Sequence, residues 1–354
     1  MSRFLNPKYS SLQVYAPGEQ PQDKKYIKLN TNESPFEPSE KVYEAVKNTV
    51  TSLNLYPDNE ATVLKEKIAG LYGVSSENVF VSNGSDDVLN FSFMAFCSED
   101  CGAAFADITY GFYKVFADLH KVNALQIPLK EDFSINPDDY KNIGNTIFIA
   151  NPNAPTGLVL TAAQIEDILK ENPQNVVVID EAYVDFGGKS CVFLTEKYDN
   201  LLVVQTFSKS RSLAGARLGF AIGNRSLIED LDKIKYSTNP YSVNRMTMQA
   251  GIAAIEDNDY YMNNCKKNIS VREYTQSELL KLGFTCTDSR ANFIFAKKDG
   301  VSGKYIYEKL REKGVLVRHF EKERISDYNR ITVGTKEQMD AFLQAVKQIN
   351  TIFQ

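Results

Sequence analysis

Tryptophan is absent from the 354 residues, histidine occurs only as His120 and His319, and no apolar run reaches the length needed to span a membrane. Two histidines give a metal cluster or a serine-histidine triad little to draw on, so no metal is expected. His319, beside Arg318, is read as structural. Five cysteines (Cys97, Cys101, Cys191, Cys265, Cys286) are an odd number, scattered and without CxxC spacing. They fit reduced thiols in a cytoplasmic protein better than a disulfide framework or a zinc site. Positive charge is also short: 40 Lys and Arg stand against 45 Asp and Glu, a net charge of -5, with the basic residues dispersed. Phosphate-backbone binding needs a concentrated basic face, which excludes a nucleic-acid partner. Residues 1–11 are polar and include Pro7, so neither a signal peptide nor an amphipathic targeting helix is expected, and no membrane partner. Gly187-Gly188-Lys189-Ser190 mimics the end of a nucleotide-binding P-loop, but Tyr183 occupies the position of the required first glycine. No G-x-G-x-x-G occurs either.

What is present is a 43% hydrophobic chain long enough to bury a sizeable core in two domains. Residues 79–81, 146–150, 176–179 and 201–204 are apolar on successive positions, as strands are when helices cover both faces of a parallel sheet. Helical patterns lie between them. Thr161-Ala162-Ala163-Gln164 fits a capping box ahead of Ile165, Ile168 and Leu169 on one helix face. Val42, Val46 and Val50 recur at i+4. Ile331 to Val333 predicts a strand, and Thr335-Lys336-Glu337-Gln338 a second box before Met339, Phe342, Leu343, Val346 and Ile349. The fold class that follows is α/β, with a mostly parallel central sheet covered by helices on both faces in a large domain, and a smaller α+β domain. Residues 259–282 read as one long helix leading out of the large domain. The division is expected at 33–245 for the large domain, with 1–32 and 246–354 forming the small one and its N-terminal arm.

The chemistry concentrates at the predicted strand ends. Lys209 lies in Gln205-Thr206-Phe207-Ser208-Lys209-Ser210-Arg211, just after an apolar strand, with hydroxyls at Thr206 and Ser208 and a guanidinium at Arg217. An amine placed there suits condensation with an aldehyde beside an anchored phosphate, the arrangement pyridoxal 5'-phosphate requires. Ser82-Asn83-Gly84-Ser85-Asp86-Asp87 joins a strand to a helix pattern and offers unpaired backbone N–H groups to a phosphate. Thr109-Tyr110-Gly111-Phe112-Tyr113 supplies a tyrosine able to lie against an aromatic ring. Asn151-Pro152-Asn153-Ala154-Pro155-Thr156-Gly157 is a stiff loop from which Asn153 could donate to a phenolate oxygen. Asp180-Glu181-Ala182-Tyr183 ends a buried strand, where a carboxylate is costly unless a cation meets it. A pyridinium nitrogen is such a cation: at about 4 Å and an effective dielectric of about 20 the attraction is about 4 kcal/mol, or roughly three pKa units in favour of the protonated ring.

Together these segments resemble the fold type I aminotransferases that use pyridoxal phosphate, over nearly the whole chain. More narrowly, Leu29-Asn30-Thr31-Asn32-Glu33-Ser34-Pro35, Tyr56-Pro57-Asp58 and Arg330-Ile331-Thr332-Val333-Gly334-Thr335 look like the histidinol-phosphate aminotransferases. The resemblance implies that Lys209 joins the cofactor and shuttles the substrate proton. It implies that Asp180 holds the pyridine nitrogen, Tyr183 and Asn153 the ring hydroxyl, and that Tyr110 stacks on the ring. Gly84, Ser85 and Asp86, with Thr206, Ser208 and Arg217, would bind the cofactor phosphate. Tyr56 would reach that phosphate in the neighbouring subunit, so a homodimer with shared active sites is implied. Arg330, Arg318 and Tyr15 would meet substrate anions. The implied reaction is transfer of the amino group between L-histidinol phosphate and 2-oxoglutarate in histidine biosynthesis. Threonine-phosphate decarboxylation, aromatic transamination and, more remotely, a non-catalytic regulator with a cofactor pocket are the alternatives. Ile108, Ala154 and Asp87 depart from the family pattern without removing a group this chemistry uses.

Overall fold

The computed structural model describes residues 2–350. Thirteen strands occur among them: β1 (Ile27–Lys28), β2 (Val79–Ser82), β3 (Ala103–Ala106), β4 (Ala124–Ile127), β5 (Thr146–Ala150), β6 (Val177–Asp180), β7 (Leu201–Thr206), β8 (Gly219–Gly223), β9 (Phe284–Cys286), β10 (Phe293–Lys298), β11 (Val315–Leu316), β12 (Arg318–His319) and β13 (Tyr328–Thr332). The α-helices are α1 (Glu40–Thr49), α2 (Thr62–Tyr72), α3 (Ser85–Phe96), α4 (Phe112–His120), α5 (Ala162–Glu171), α6 (Arg225–Thr238), α7 (Arg245–Glu256), α8 (Asn258–Lys281), α9 (Gly303–Glu312) and α10 (Lys336–Asn350). None is long and apolar enough to cross a membrane.

The large body is built on a seven-stranded sheet in the order β2-β8-β7-β6-β5-β3-β4, in which only β8 runs against the others. The uninterrupted apolar runs are explained by two cores. Val79, Val81, Ile147, Ile149, Val177, Ile179, Leu201 and Val203 face one side, where α1, α2, α5 and α7 pack. Phe80, Phe148, Val178, Leu202 and Val204 face the other, against α3, α4 and α6. Every second residue thus feeds a different core, and none is left to solvent. The sequence pattern predicts β2, β5, β6 and β7 but not β3, β4 and β8. Ala103–Ala106 and Gly219–Gly223 carry little side chain to signal a strand.

The small body holds the antiparallel sheet β12-β13-β10-β9 and the parallel pair β1-β11. Leu29, Ile294, Val317, Leu343 and Val346 share its core, which ties the N-terminal segment to the C-terminal helices. Both capping boxes are formed. Thr161 accepts from the Gln164 N–H while Gln164 reaches back to the Thr161 N–H, and Thr335 and Gln338 do the same. The helix α7 begins at the expected boundary, residue 245. Met248, Ala250, Ala253, Ala254 and Ile255 of α7 belong to the core of the large sheet, because small side chains there let α7 lie against α1 and α2. The following α8 starts in that core at Tyr261 and ends in the small one at Leu279.

Candidate active site

Parallel strands present their carboxyl ends along one edge, where loops rather than ladder bonds continue the chain and ligands are received. A cleft of about 690 Å³ opens there between the two bodies. It is lined by Ser85, Asp86, Tyr110, Asp180, Tyr183, Thr206, Ser208, Lys209, Arg217, Tyr15, Arg318 and Arg330. Residues from seven separated stretches of sequence thus converge on one cavity.

Asp180, the last residue of β6, is buried at 5% exposure. Its carboxylate accepts from the Tyr113 hydroxyl at 2.9 Å and from the Ala182 N–H at 3.2 Å. Burial nevertheless outweighs these bonds and pushes its pKa up to about 6. Lys209 extends from the loop after β7, its Nζ bonded to the Thr31 carbonyl at 3.3 Å and 5.8 Å from the centre of the Tyr183 ring. Burial first, and the Arg330 guanidinium second, bring its pKa down to about 8. An acid that resists ionising and an amine that resists protonation face one space, each lacking a full counter-charge.

Beside them, α3 opens at Gly84, whose φ of +86° an ordinary side chain would strain, with the Arg217 guanidinium 2.8 Å from where a Cβ would stand. The first-turn N–H groups of α3 have no intrahelical partner and point out of the helix start. Thr206 and Ser208 hydroxyls lie 3.0 Å apart, and Arg217 Nη1 is 3.4 Å from Ser208 Oγ. Arg217 also pairs with Asp86 at 2.9 Å, and Asp86 accepts from Tyr110 at 2.7 Å. Helix-start amides, two hydroxyls and one guanidinium thus stand together, a set whose chemistry suits a phosphate.

At the opposite end, Arg330 Nη2 donates to the Asn30 carbonyl at 3.1 Å, while its Nε is buried without a partner. Arg318 donates to the carbonyls of Ala16 and Pro17 at 2.9 and 3.1 Å, fastening the N-terminal arm. Tyr15 of that arm stacks on Phe112 at 4.2 Å.

Two of the expected site residues stand off this chain's cleft. Asn153 does not line the cleft: its Nδ2 donates to the Ile108 carbonyl at 3.0 Å and to Thr156 Oγ1 at 3.2 Å, and its Oδ1 accepts from Thr109 at 2.7 Å. Its two amide bonds thus reach one partner in the loop after β3 and one in its own loop. Tyr56 lies away from this chain's cleft, 77% exposed and stacked on Tyr241 at 4.6 Å.

The family model for aminotransferase class I and II matches residues 24–346. The chain belongs to this family. It is 52% identical over 351 residues to a histidinol-phosphate aminotransferase of Brachyspira hyodysenteriae, covering 99% of each chain. Among solved structures, it superposes on the histidinol-phosphate aminotransferase of Sinorhizobium meliloti, in complex with pyridoxal-5'-phosphate, with TM-score 0.89 at 21% identity, covering 100% of this chain and 99% of that one. An L-threonine-O-3-phosphate decarboxylase of Porphyromonas gingivalis gives TM-score 0.81 at 19% identity, covering 91% and 98%. An aminotransferase fold therefore hosts more than one reaction, and the site must decide between them.

In this aminotransferase, sequence reasoning missed two contacts. Tyr113 bonds Asp180 from a fully buried position one helical turn after Tyr110; among 19 tyrosines nothing marks it. Asn32 donates to the Tyr183 hydroxyl at 2.9 Å, and its backbone N–H and Oδ1 are both tied to Thr332 Oγ1. The signal was an asparagine between two polar residues, a type that tolerates the left-handed φ of +57° found there.

Proposed function

We propose that the protein is a pyridoxal-phosphate-dependent aminotransferase that exchanges the amino group of L-histidinol phosphate with 2-oxoglutarate, giving imidazole acetol phosphate and L-glutamate in histidine biosynthesis. The carrying observation is that Lys209 Nζ and the Asp180 carboxylate share one cleft, with the phosphate cradle between sheet and α3 beside them. The residues present fit the cofactor. Asp180 lacks a paired cation, Arg330 Nε lacks an acceptor, and the start of α3 has no side-chain cap on its amides. Relatives half identical over the whole chain support the choice of substrate.

When bound, pyridoxal phosphate supplies an aldehyde and an electron-withdrawing ring able to spread negative charge from the substrate's α-carbon. Asp180 would hold the ring nitrogen, and the arriving positive charge would return its carboxylate to the ionised form. Tyr113 keeps that carboxylate oriented. Tyr183, fixed by Asn32, would hold the ring hydroxyl, and Tyr110 would cover the ring face. Gly84, Ser85 and Asp86 backbone, Thr206, Ser208 and Arg217 would bind the phosphate. Lys209 Nζ, with its pKa lowered to about 8, would take the proton from the substrate α-carbon and return it on the other side of the transfer. Arg330 would receive an anionic group of either substrate through its planar fork, with Arg318 and Tyr15 at the distal end.

The protein is further read as a cytoplasmic homodimer in which Tyr56 serves the neighbouring site; its 77% exposure in the single chain supports this. The large domain is read as 33–245 and the small one as 1–32 with 246–354; that the two ends of α8 pack in different cores supports two units joined through this region. The test is to add L-histidinol phosphate, threonine phosphate, glutamate and phenylalanine separately to the cofactor-loaded protein and follow amino transfer by absorbance, with released carbon dioxide measured in parallel. Transfer from histidinol phosphate and glutamate is expected. Response to phenylalanine alone, or carbon dioxide from threonine phosphate, would replace the substrate assignment.

A further inference from the structure

Tyr56 projects from a loop whose backbone is held with unusual thoroughness for a surface segment. Lys235, on α6 and only 2% exposed, sends its ammonium to the Asn59 carbonyl at 2.9 Å. Tyr236, next on the same helix, bonds the Glu60 carboxylate through its hydroxyl. Arg245, the first residue of α7, donates to the Tyr56 carbonyl itself. Tyr241, in the connector between α6 and α7, stacks on the Tyr56 ring at 4.6 Å with 25° between planes. From within the loop, Asp58 caps α2 by accepting from the N–H groups of Thr62 at 2.8 Å and Glu60 at 3.1 Å.

Burying an ammonium is costly, and Lys235 does so with its strongest bond to a neutral carbonyl; Asp232 and Lys65 share its surroundings. Such an expense is not needed to shape a loop that touches nothing in its own chain's cleft. Yet the whole corner fixes the direction of one side chain that remains 77% exposed. A phenol held rigidly outward is of use where its target lies on another molecule, because pre-set orientation removes the ordering cost at the moment of contact.

We propose that the α6–α7 corner, through Lys235, Tyr236 and Arg245, is a positioning element that presents Tyr56 to the active site of the second copy of this chain. The inference rests on the reading of the protein as a homodimer with shared sites. These residues act on catalysis in trans, through cofactor retention, and not on the site of their own protomer.

The experiment uses cofactor-loaded enzyme and two affinity tags. Lys235→Met removes the ammonium but keeps the aliphatic stem. In the homodimer it is expected to raise the dissociation constant of pyridoxal phosphate about tenfold, the worth of one charge-assisted hydrogen bond, and Lys235→Arg should restore most of it. Lys235→Met is then co-expressed with Lys209→Ala and the mixed dimer isolated by both tags. Its one competent site contains Lys209 of the Lys235→Met chain but receives Tyr56 from the chain with an intact corner. Retention of cofactor at that site with wild-type affinity supports the proposal. Tenfold weakening there, as in the Lys235→Met homodimer, overturns it, since the effect would then act within one chain. Sedimentation run alongside separates the underlying reading: a fully active species of single-chain mass would overturn the homodimer and the proposal with it. Tyr236→Phe, with its hydroxyl at the surface, replaces Lys235→Met should that chain not fold, and the same two outcomes apply.

Discussion

Asp180 and Lys209 are both held in forms that water would not favour, and this has measurable consequences at the level of single residues. The pKa of Asp180 is raised to about 6 in the folded protein against 3.8 in a solvated chain. The native state therefore binds the extra proton between those values, and the protein free of cofactor loses stability as pH rises from about 4 to 6, with the cost fully present above 6. Asp180→Asn is accordingly expected to stabilise the cofactor-free protein by about 1–3 kcal/mol at pH 7.5. The gain should vanish below about pH 4, where the wild-type carboxyl is neutral folded or unfolded. Urea unfolding at the two pH values checks it, and the same variant should lose nearly all turnover. For Lys209 the shift runs the other way, to about 8 from 10.5. Only the uncharged amine attacks an aldehyde, so the rate at which the cofactor-free protein takes up pyridoxal phosphate should climb about tenfold per pH unit until about pH 8 and then level. A rise continuing to pH 10 would show that burial does not tune this amine. Lys209 and Asp180 were legible in the sequence because Asp180 ends an apolar strand and Lys209 stands in the loop just after one, and a charge at such a place calls for a partner. The tie of Asn153 to Ile108 and Thr156 was not legible, since an amide that braces a loop and one that serves a ligand have the same composition.

At the level of elements, the proposed phosphate cradle depends on how closely β8 approaches the start of α3. A Cβ on Gly219 would stand 2.2 Å from the Ser85 backbone nitrogen and 2.4 Å from the Gly84 carbonyl carbon. Only a residue without a side chain lets the antiparallel strand pass beneath those amides. Gly219→Ala should therefore push the helix start outward, costing about 1–3 kcal/mol of stability through overpacking. It should also weaken cofactor binding beyond what the stability loss explains. Thermal unfolding of the cofactor-free protein, compared with the cofactor dissociation constant, separates the two effects. Unchanged affinity would mean that the α3 start is not part of the cradle. This element is also where sequence reasoning fell short. The helix start was visible in Gly84-Ser85-Asp86, but β8 was not, because Gly219–Gly223 reads as a loop until the strands on either side are in place. Strands β6 and β7 were legible for the opposite reason: both of their faces are buried, and each position carries an apolar side chain that says so.

The molecule as a whole keeps its cleft by closing one body against the other, and the ties around the rim are unequal in kind. On one side an apolar cluster crosses the gap, joining Ala106, Ile108, Leu129 and Phe133 of the large body to Phe295 and Ile325 of the small one. Over it lies a polar strap: Arg324 donates to the Leu129 and Lys130 carbonyls at 3.0 and 2.7 Å and pairs with Asp107 at 3.2 Å, while Lys322 bonds the Asp107 carbonyl. Arg324 is 36% exposed, so its ion pair contributes little to global stability, below about 1 kcal/mol. Asp107 and Lys322 line the cleft, and the bonds of Arg324 beside them are made only while the bodies are together. Loss of about 1 kcal/mol from the closed arrangement alone lowers its population relative to an open one by about fivefold, and apparent substrate affinity falls by the same factor once the closed form no longer dominates. Arg324→Ala is thus expected to leave the unfolding midpoint nearly unchanged, to raise KM for both substrates several-fold, and to lower kcat less. Hydrogen exchange should quicken at residues 129–133 in the same variant. If KM holds while the unfolding midpoint drops, Arg324 is a prop of the fold rather than a latch on the cleft.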